Sequence, residues 1–233
     1  MKRILRHHRI EAEIILECDT YTTLAIESPS LLRTFLDGVE RQIETGEPFF
    51  RLYDGNKEIP FEKSCYFIRD CFNPALDNKK VENTITKEVV SSISDEEQTE
   101  FQRLINELSQ WVEKVAFDFP IPLTIETDIN PGVLLKALSL SPHRKTDIFL
   151  ENLVLSIRIL NHVTKKNIFI FYNLQDYLSE DELYSFHKEM QKMEIVFFTL
   201  TSHLPLRKTQ YEKIVRIDED LFEQHIDFKT TDF

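Results

Sequence analysis

The sequence predicts an α/β protein, in which a head domain built on a mostly parallel sheet carries an inserted helical subdomain. Three observations predict this architecture. Asn167 opens a continuous apolar run through Tyr172, as in a central parallel strand that is covered on both faces. A helical segment and a second apolar run at residues 195–200 follow it, which completes a βαβ unit. Residues 91–163 instead carry their apolar side chains at helical spacing, as a separate helical layer would.

Residues 1–90 supply the first part of the predicted head domain. Residues 11–16 and 22–26 have the patterns of strands, and a helix follows that begins at Ser28 and Pro29 and ends at Gly46. A further strand is predicted at residues 65–70. Polar residues 73–90, with turn chemistry at their start, predict a flexible or peripheral connection.

Residues 91–163 form the predicted helical leg. Ser94 and Glu97 make a capping box, which begins a helix that extends to Phe119. Its apolar residues recur for about seven turns. Two shorter helices are predicted after it, from Asn130 to Leu140 and from Thr146 to His162.

Residues 164–233 return to the head domain. Ser179 and Glu182 form a second capping box at the start of the helix that precedes the strand at residues 195–200. Residues 213–217 are predicted to form an edge strand. The head is therefore built from both ends of the chain.

Composition indicates a globular cytoplasmic protein. The chain has 233 residues, 18 of them Phe, which is enough to fill a sizeable core. Cys18, Cys65 and Cys71 are an odd number without C-x-x-C spacing, as in reduced cytoplasmic thiols. The basic N-terminus leads into no apolar targeting segment, and we expect its His7 and His8 to be solvated. No apolar run is long enough to cross a bilayer, so no membrane association is expected.

Nucleotide chemistry is not predicted. A phosphate-binding loop needs glycines where backbone amides approach phosphate, yet the chain has only four glycines and none precedes a lysine. The buried strand ends at Asn173, where a nucleotide hydrolase would place a metal-binding carboxylate. We therefore expect no nucleotide cofactor and no ATPase activity.

Charge is segregated along the chain. The net charge is -12, yet between residues 129 and 175 the only acids, Asp147 and Glu151, stand against six Lys or Arg. A local basic surface can bind phosphates whatever the total charge. The alternative is that these cations stabilise helix ends. The basic residues in question are Lys136, Arg144, Lys145, Arg158, Lys165 and Lys166, with a weaker cluster at Lys79, Lys80 and Lys87.

Two other groups of side chains have a chemical and a structural interpretation. Asp176, Glu180, Asp181 and Glu182 could hold a divalent ion, but acids in the first turn of a helix also complement its dipole. Cys65 or Cys71 could be a nucleophile if a histidine lay beside it, but both also fit as small buried hydrophobes. The structural interpretation is favoured in each case.

Four segments resemble the Csn-two family, the fourth and short adaptation protein of type II-A CRISPR systems. They are residues 165–173 (KKNIFIFYN), 177–183 (YLSEDEL), 194–198 (EIVFF) and 217–221 (IDEDL). The resemblance implies a homotetrameric ring with legs and α/β heads, which are similar to P-loop hydrolases that have lost the phosphate loop. Such a ring encloses the ends of double-stranded DNA without sequence preference during spacer acquisition, alongside the other type II-A adaptation proteins. It implies no catalysis by this chain.

The resemblance also implies site residues. Family lysines on the inner face of the ring contact phosphates, and the matching stretch here contains Lys136, Arg144 and Lys145. We add Lys165, Lys166, Lys79 and Lys80 as further DNA-binding candidates. Family members bind calcium near the junction of head and leg, and the carboxylates that this chain retains there are Asp118, Glu126 and Asp128.

Calcium is not favoured by this set of carboxylates. Pro120 and Pro122 occupy part of a segment that a calcium site would make more acidic. Because calcium takes six or more oxygens, three side chains would need carbonyls and water to complete the site.

Two other functions stay open on the sequence. One is a protein-binding adaptor, whose acidic surface would dock a basic nuclease or integrase. The other is a metal-dependent nuclease that uses Asp176, Glu180 and Asp181.

Overall fold

The computed structural model describes residues 2–74, 79–117, 119–121, 123–125, 128–140, 146–206 and 209–226. The chain divides into two compact units, one of Met1–Ala75 with Arg144–Phe233 and the other of Leu76–His143. The larger unit also contains residues 146–163, which the sequence assigned to the leg. The division into a DNA-enclosing head and leg stays a prediction.

The larger unit is the α/β part of the protein. Its strands are β1 (Lys2–His7), β2 (Ile10–Glu17), β3 (Tyr21–Ile26), β4 (Arg51–Asp54), β5 (Lys57–Ile59), β6 (Cys65–Ile68), β7 (Ile168–Tyr172), β8 (Val196–Thr201), β9 (Glu212–Ile217) and β10 (Glu223–Ile226). Its helices are α1 (Pro29–Thr45), α2 (Phe61–Ser64), α6 (Phe149–Thr164) and α7 (Glu180–Lys192), with a short 3-10 turn at Leu174–Asp176. The smaller unit holds α3 (Lys79–Ser91), α4 (Asp95–Ala116) and α5 (Pro131–Ala137).

A six-stranded sheet forms the centre of the larger unit, and it confirms the α/β fold class. Its strand order is β10-β9-β3-β8-β7-β6. All neighbours are parallel except β10, which runs antiparallel to β9. The predicted βαβ unit is β7-α7-β8, with Phe169 paired to Phe197. Their side chains are buried because helices or a second sheet cover both faces, as the continuous apolar runs predicted.

The prediction that residues 213–217 form an edge strand is wrong. β9 lies between β3 and β10, so it has hydrogen-bonded neighbours on both sides. No local pattern indicated β10, because its four residues, Glu-Gln-His-Ile, carry one aliphatic side chain and no alternation. Antiparallel pairing with β9, the strand that precedes it in the chain, determines that element.

A four-stranded antiparallel sheet, β2-β1-β4-β5, packs beside the parallel one and contains the N-terminus. His7 is therefore not solvated, contrary to the expectation. It is 5% exposed and contacts the rings of Phe35, Phe49 and Phe50. Burial, with His8 and Arg9 as smaller causes, lowers the pKa of His7 to about 4, so the imidazole is neutral. The alternation of β1 turns Leu5 and His7 inward and Arg6 outward.

Helix α1 joins the two sheets through a shared apolar core. Its side chains Leu32, Phe35 and Val39 are buried against both sheets. The one glycine inside the helix has a packing reason, since a Cβ built at Gly38 would lie 2.4 Å from the Phe49 ring. The ring occupies the space that a side chain would need.

Replacing Gly38 with Ala should therefore destabilise the protein. The added methyl group should cost about 1–3 kcal/mol through displacement of Phe49, against a gain of about 1 kcal/mol in helix propensity. The free energy of unfolding in urea measures the difference. The control is Arg33→Ala on the exposed side of the same helix, which should change stability by less than about 0.5 kcal/mol. A Gly38→Ala protein that is more stable than the unsubstituted one, by the full gain of about 1 kcal/mol in helix propensity, would contradict the packing argument.

The smaller unit contains a helix that the sequence did not indicate. Residues 73–90 were expected to form a flexible or peripheral connection, but residues 79–91 are α3. Its β-branched residues weaken helix propensity, yet Val81 and Thr86 are buried, and Thr86 Oγ1 donates to Glu82 O at 2.8 Å. Tertiary packing therefore outweighs local preference here.

The capping boxes predicted for α4 and α7 are both present. Ser94 Oγ accepts from the Glu97 amide, and Ser179 Oγ accepts from the Glu182 amide. In each box the glutamate carboxylate accepts a hydrogen bond from the backbone N–H of the serine. Within the described part of the chain, no helix combines the length and the apolar composition that crossing a membrane requires.

Candidate nucleic-acid interface

In a P-loop architecture, phosphate binds at a glycine-rich turn between a strand and the following helix. The turn from β3 to α1 in this protein consists of Glu27 and Ser28. The Glu27 carboxylate accepts two hydrogen bonds from Arg216, at 2.8 and 2.6 Å. These bonds lower the pKa of Glu27, so its carboxylate is ionised and paired with the guanidinium. This turn is therefore short, has no glycine and is closed by an ion pair.

The acidic residues at the carboxyl end of β7 are engaged by the protein itself. Asp176 Oδ1 lies 3.0 Å from His203 Nε2. Glu180 and Asp181 lie in the first turn of α7, where they complement the helix dipole. In the described segments of the chain, no three His, Cys, Asp or Glu side chains converge as metal ligands.

Cys65 and Cys71 behave as structural residues, as the favoured interpretation held. Both are buried. Burial raises the pKa of the Cys71 thiol to about 12 and raises that of Cys65 as well. Neither thiol forms a thiolate near neutral pH, which a nucleophilic cysteine requires.

The smaller unit contains a basic cleft between α3 and α5, with a volume of about 390 Å³. Two ammonium groups line it, those of Lys87 and Lys136, and no carboxylate does. Neither lysine has an ion-pair partner among the residues that the structure describes. The remaining lining residues are Asn83, Thr86, Val90, Ser91, Asn130, Gly132 and Val133. We call this site the α3–α5 cleft.

Helix geometry explains how these side chains meet. Lys79, Asn83 and Lys87 are spaced by four residues, so they lie on one face of α3. Asn130 caps the start of α5, its Oδ1 accepting from the Val133 amide at 3.1 Å. Lys136 follows in the last turn of that helix.

Gly132 leaves room for the capping side chain of α5. A Cβ at this position would lie 3.2 Å from Asn130 Oδ1, which is a tight contact, and 3.6 Å from Val90 Cγ2, which is an ordinary one. The glycine therefore spares the cap of α5 at the place where this helix meets α3.

The predicted DNA-binding residues fall into three groups: those on α3 and α5, those that lie outside the described part, and those in the larger unit. Lys136 lines the α3–α5 cleft, and Lys79 is exposed on the same face of α3 as Asn83 and Lys87. Lys80 belongs to α3, but its side chain lies outside the described part, as do residues Arg144 and Lys145 entirely.

The third group, Lys165 and Lys166, belongs to the larger unit. Lys165 ends α6 with a left-handed φ of 59° and is exposed, which is an ordinary place for a cation near a helix C-terminus. The Lys166 ammonium lies 5.8 Å from the centre of the Tyr66 ring, within the range of a cation–π contact.

The predicted metal ligands are not brought together by any described contact. Asp118 and Glu126 lie outside the described residues, and Asp128 is exposed. The calcium site stays a prediction that the chemistry of the segment does not favour.

Sequence reasoning noticed Lys87 but did not select it, and it missed Asn83 and Asn130. The signal was available for α3, because Lys79, Asn83 and Lys87 share helical spacing. It was overlooked because these residues were assigned to an irregular connection. For Asn130 the capping role was evident, but its position beside Lys136 and Lys87 depends on the pairing of two helices.

Helix α4, unlike the basic α3–α5 cleft, carries an excess of acidic side chains and an exposed apolar stripe. Six carboxylates stand against Arg103 and Lys114, and Arg103 binds both Glu100 and Glu107. Its apolar residues Leu104, Leu108, Trp111 and Val115 form one stripe that is 46–61% exposed. Only Ile105 of its apolar residues is fully buried. The smaller unit therefore presents a basic cleft and an apolar stripe on different helices.

Fold and site together define an α/β unit without a phosphate loop, joined to a helical unit with a basic cleft. The family model of the CRISPR-associated protein Cas_Csn2 matches residues 42–221, which is more than half of the chain. The chain therefore belongs to the Csn2 family, the family that its sequence motifs resemble. No curated protein sequence matches it significantly.

Several solved structures have a similar backbone course. The ADP conformation of an ATP-binding cassette of an ABC transporter matches at 14% identity over 97% of this chain and 88% of its own, with a TM-score of 0.43. A nucleotide-free ATP-binding cassette matches at 12% identity over 97% and 92%, with a TM-score of 0.46. A bacterial Atm1-family ABC exporter with ATP bound matches at 10% over 97% and 39%, with a TM-score of 0.44. Because both the sequence identities and the TM-scores are low, these matches carry no conclusion about activity.

Proposed function

We propose that this protein binds double-stranded DNA, and DNA ends in particular, without sequence preference and without catalysis. It does so in the cytoplasm as a homotetrameric ring during CRISPR spacer acquisition. Membership of the Csn2 family supports the CRISPR role. The observation that carries the DNA-binding part is the α3–α5 cleft, where Lys87 and Lys136 converge with no carboxylate among the lining residues.

The chemistry of the cleft fits a nucleic-acid backbone. Two unpaired ammonium groups attract phosphate oxygens, and the side-chain amides of Asn83 and Asn130 can donate hydrogen bonds to them. Val90 and Val133 offer apolar contact to a sugar. Contacts of this kind hold the backbone and carry no base sequence, so binding should be independent of sequence.

Charge distribution supports enclosure rather than surface binding. The chain carries a net charge of -12, and α4 holds an excess of carboxylates. A ring that gathers its few cations around one opening would attract DNA there, while its acidic exterior would repel DNA elsewhere.

Salt dependence tests the DNA-binding proposal. If each protomer supplies about two phosphate contacts, four supply about eight, and log affinity should fall with log salt at a slope of about -7. Lys136→Ala should reduce the slope to about -4, because it removes four contacts. The control is Lys57→Ala, an exposed cation of β5, which should leave the slope unchanged. A flat salt dependence, or no difference between Lys136→Ala and Lys57→Ala, would contradict the proposal.

Topology tests the ring. Linear duplexes of unrelated sequence should bind with equal affinity, and a covalently closed circle of the same length should not be threaded. The protein is first loaded on linear DNA, both ends are then blocked, and a salt wash removes surface-bound protein. The measurement is the amount of protein that stays on the DNA. Equal retention on the circle would exclude threading.

The exposed stripe of α4 supports assembly into a tetramer. Leu104, Leu108, Trp111 and Val115 are about half exposed, and such a stripe on a soluble protein usually marks an interface. A second copy of this chain is the partner that the proposed ring requires.

Charged substitutions in the stripe should therefore break the assembly. Leu108→Lys combined with Trp111→Lys places two ammonium groups in the contact, and light scattering should then show a smaller species with unchanged helical content. Gln110→Lys, an exposed position of the same helix, is the control and should stay tetrameric. If light scattering showed that the unsubstituted protein is a monomer, the proposed ring would be contradicted.

Calcium binding is expected to be absent. The carboxylates retained in the expected calcium segment are only three, Asp118, Glu126 and Asp128, whereas a calcium ion takes six or more oxygens. Two prolines of that segment occupy positions that a calcium site would make acidic. Isothermal calorimetry should show no saturable heat on calcium addition. A saturable heat that Asp128→Asn removes, and that Asp95→Asn leaves intact, would contradict this expectation.

A second function, docking of another type II-A adaptation protein, is favoured by the carboxylates of α4. Asp95, Glu96 and Glu113 have no ion-pair partner in the described structure, so that they could meet a basic nuclease or integrase. This adaptor role is compatible with DNA binding. Lys136→Ala should impair DNA binding and leave partner capture intact, which distinguishes the two.

A further inference from the structure

The start of β9 contains a buried carboxylate that the proposed function does not use. Glu212 is 4% exposed. Its Oε1 accepts from Thr23 Oγ1 at 2.5 Å and from Gln175 Nε2 at 3.1 Å. No Lys, Arg or His of the described chain lies within ion-pair distance of it. A buried carboxylate without a cation is costly when ionised, and such groups commonly take up a proton instead.

Two orphaned oxygens lie on residues that already touch. Glu212 Oε2 and Gln175 Oε1 are buried and have no hydrogen-bond partner among the described residues, although Gln175 Nε2 donates to the other oxygen of the same carboxyl group. A carboxylic acid and a carboxamide can exchange two hydrogen bonds, with the acid proton on the amide oxygen. One proton on Glu212 would therefore satisfy both orphans and remove the buried charge.

The neighbouring titratable groups do not supply a counter-charge. From β3, the Tyr21 hydroxyl approaches the carboxyl and bonds Thr209 Oγ1 at 2.8 Å, and burial raises the pKa of that phenol. From α7, His187 packs edge-on against Tyr21, and burial lowers its pKa, which favours the neutral form. From the 3-10 turn, Asp176 pairs with His203 instead. Burial also raises the pKa of Glu212 itself.

We propose that Glu212 keeps its proton to a higher pH in the folded protein than in the unfolded chain, and that this proton joins Oε2 to Gln175 Oε1. This acid–amide pair ties the 3-10 turn to the sheet. The turn also lines a cavity of about 390 Å³ at the carboxyl end of β7, through Gln175 and Asp176. Loss of the proton at high pH leaves a charged carboxylate facing an amide oxygen, which releases Gln175 and loosens the turn. The acid–amide pair does not depend on DNA binding.

The sign of the pH dependence follows from proton linkage. A carboxyl whose pKa is raised on folding holds a proton that the unfolded chain has lost. Its stabilisation is complete below the ordinary glutamate pKa of 4.5 and declines as pH rises to the pKa of the folded state. Across that window the unfolding constant should rise about tenfold per pH unit.

The test compares Glu212→Gln with the unsubstituted protein in urea unfolding at a series of pH values. The carboxamide that this substitution introduces would present the same two hydrogen bonds to Gln175 without a charge, so the tenfold rise per pH unit should disappear. The control is Glu219→Gln, an exposed carboxyl of the same unit, which should keep the rise. Parallel curves for Glu212→Gln and the unsubstituted protein would overturn the proposal.

Two further measurements bear on the proton and on the turn. Infrared spectroscopy should show a protonated carboxyl band that Glu212→Gln removes and Glu219→Gln retains. The protection factors of the Asp176 and Tyr177 amides, which bond Asn173 O and Leu174 O, should fall as pH rises in the unsubstituted protein and stay constant in Glu212→Gln. Absence of the band, or equal exchange in both proteins, would overturn the corresponding step.

The alternative to a proton is a bound metal cation that neutralises Glu212 and contacts Glu212 Oε2 and Gln175 Oε1. Stabilisation by sodium relative to choline, lost in Glu212→Gln, would show that a metal ion and not a proton neutralises Glu212. That result would overturn the proposal, whereas indifference to the cation supports it.

Discussion

Burial of the parallel strands on both faces is the constraint on which the rest of the larger unit depends. β7, β8 and β3 consist almost entirely of apolar or β-branched side chains, and none can face water without a large loss of stability. One face is covered by α1 and the antiparallel sheet, and aromatic contacts between Phe171, Phe186 and Phe197 join the other face to α7. The turns at the ends of these strands are positioned as a consequence.

The same constraint explains why polar groups near the sheet need such specific partners. Thr23 lies in the middle of β3, where its hydroxyl donates to Glu212 and accepts from Gln175. Arg216 of β9 reaches across to Glu27 at the end of β3. Interactions of this kind link strands that are distant in sequence, and they give the sheet a fixed strand order in a way that apolar contacts do not.

Sequence patterns predicted the larger elements and failed where pairing decides the structure. The apolar run at β7 and the capping boxes of α4 and α7 are local signals, and each is present in the structure. Helix α3 was missed because its Thr and Val residues disfavour an isolated helix, and β10 was missed because it forms only beside β9. Helix α3 depends on packing against α5, which lies far along the chain, whereas β10 depends on its antiparallel pairing with β9, which its own four residues do not signal.

The candidate site was partly predictable for the same reason. Lys136 could be selected because it lies in a basic stretch, and the resemblance to the Csn2 family pointed to it. Lys87 could not be joined to it, because the cleft requires α3 and α5 to pack, with Gly132 at the contact. His7 shows the converse error. A histidine pair near a chain start suggested solvation, but strand alternation places one member of the pair among three phenylalanines.

The two-residue turn at Glu27 and Ser28 has a mechanical consequence. It joins β3 to α1 without a loop, and the Arg216 guanidinium of β9 holds the Glu27 carboxylate with two hydrogen bonds. Strand, turn and helix are therefore fastened to one another and to the neighbouring strand. A force applied to α1 would pass directly into the central sheet, because no slack segment lies between them to absorb it.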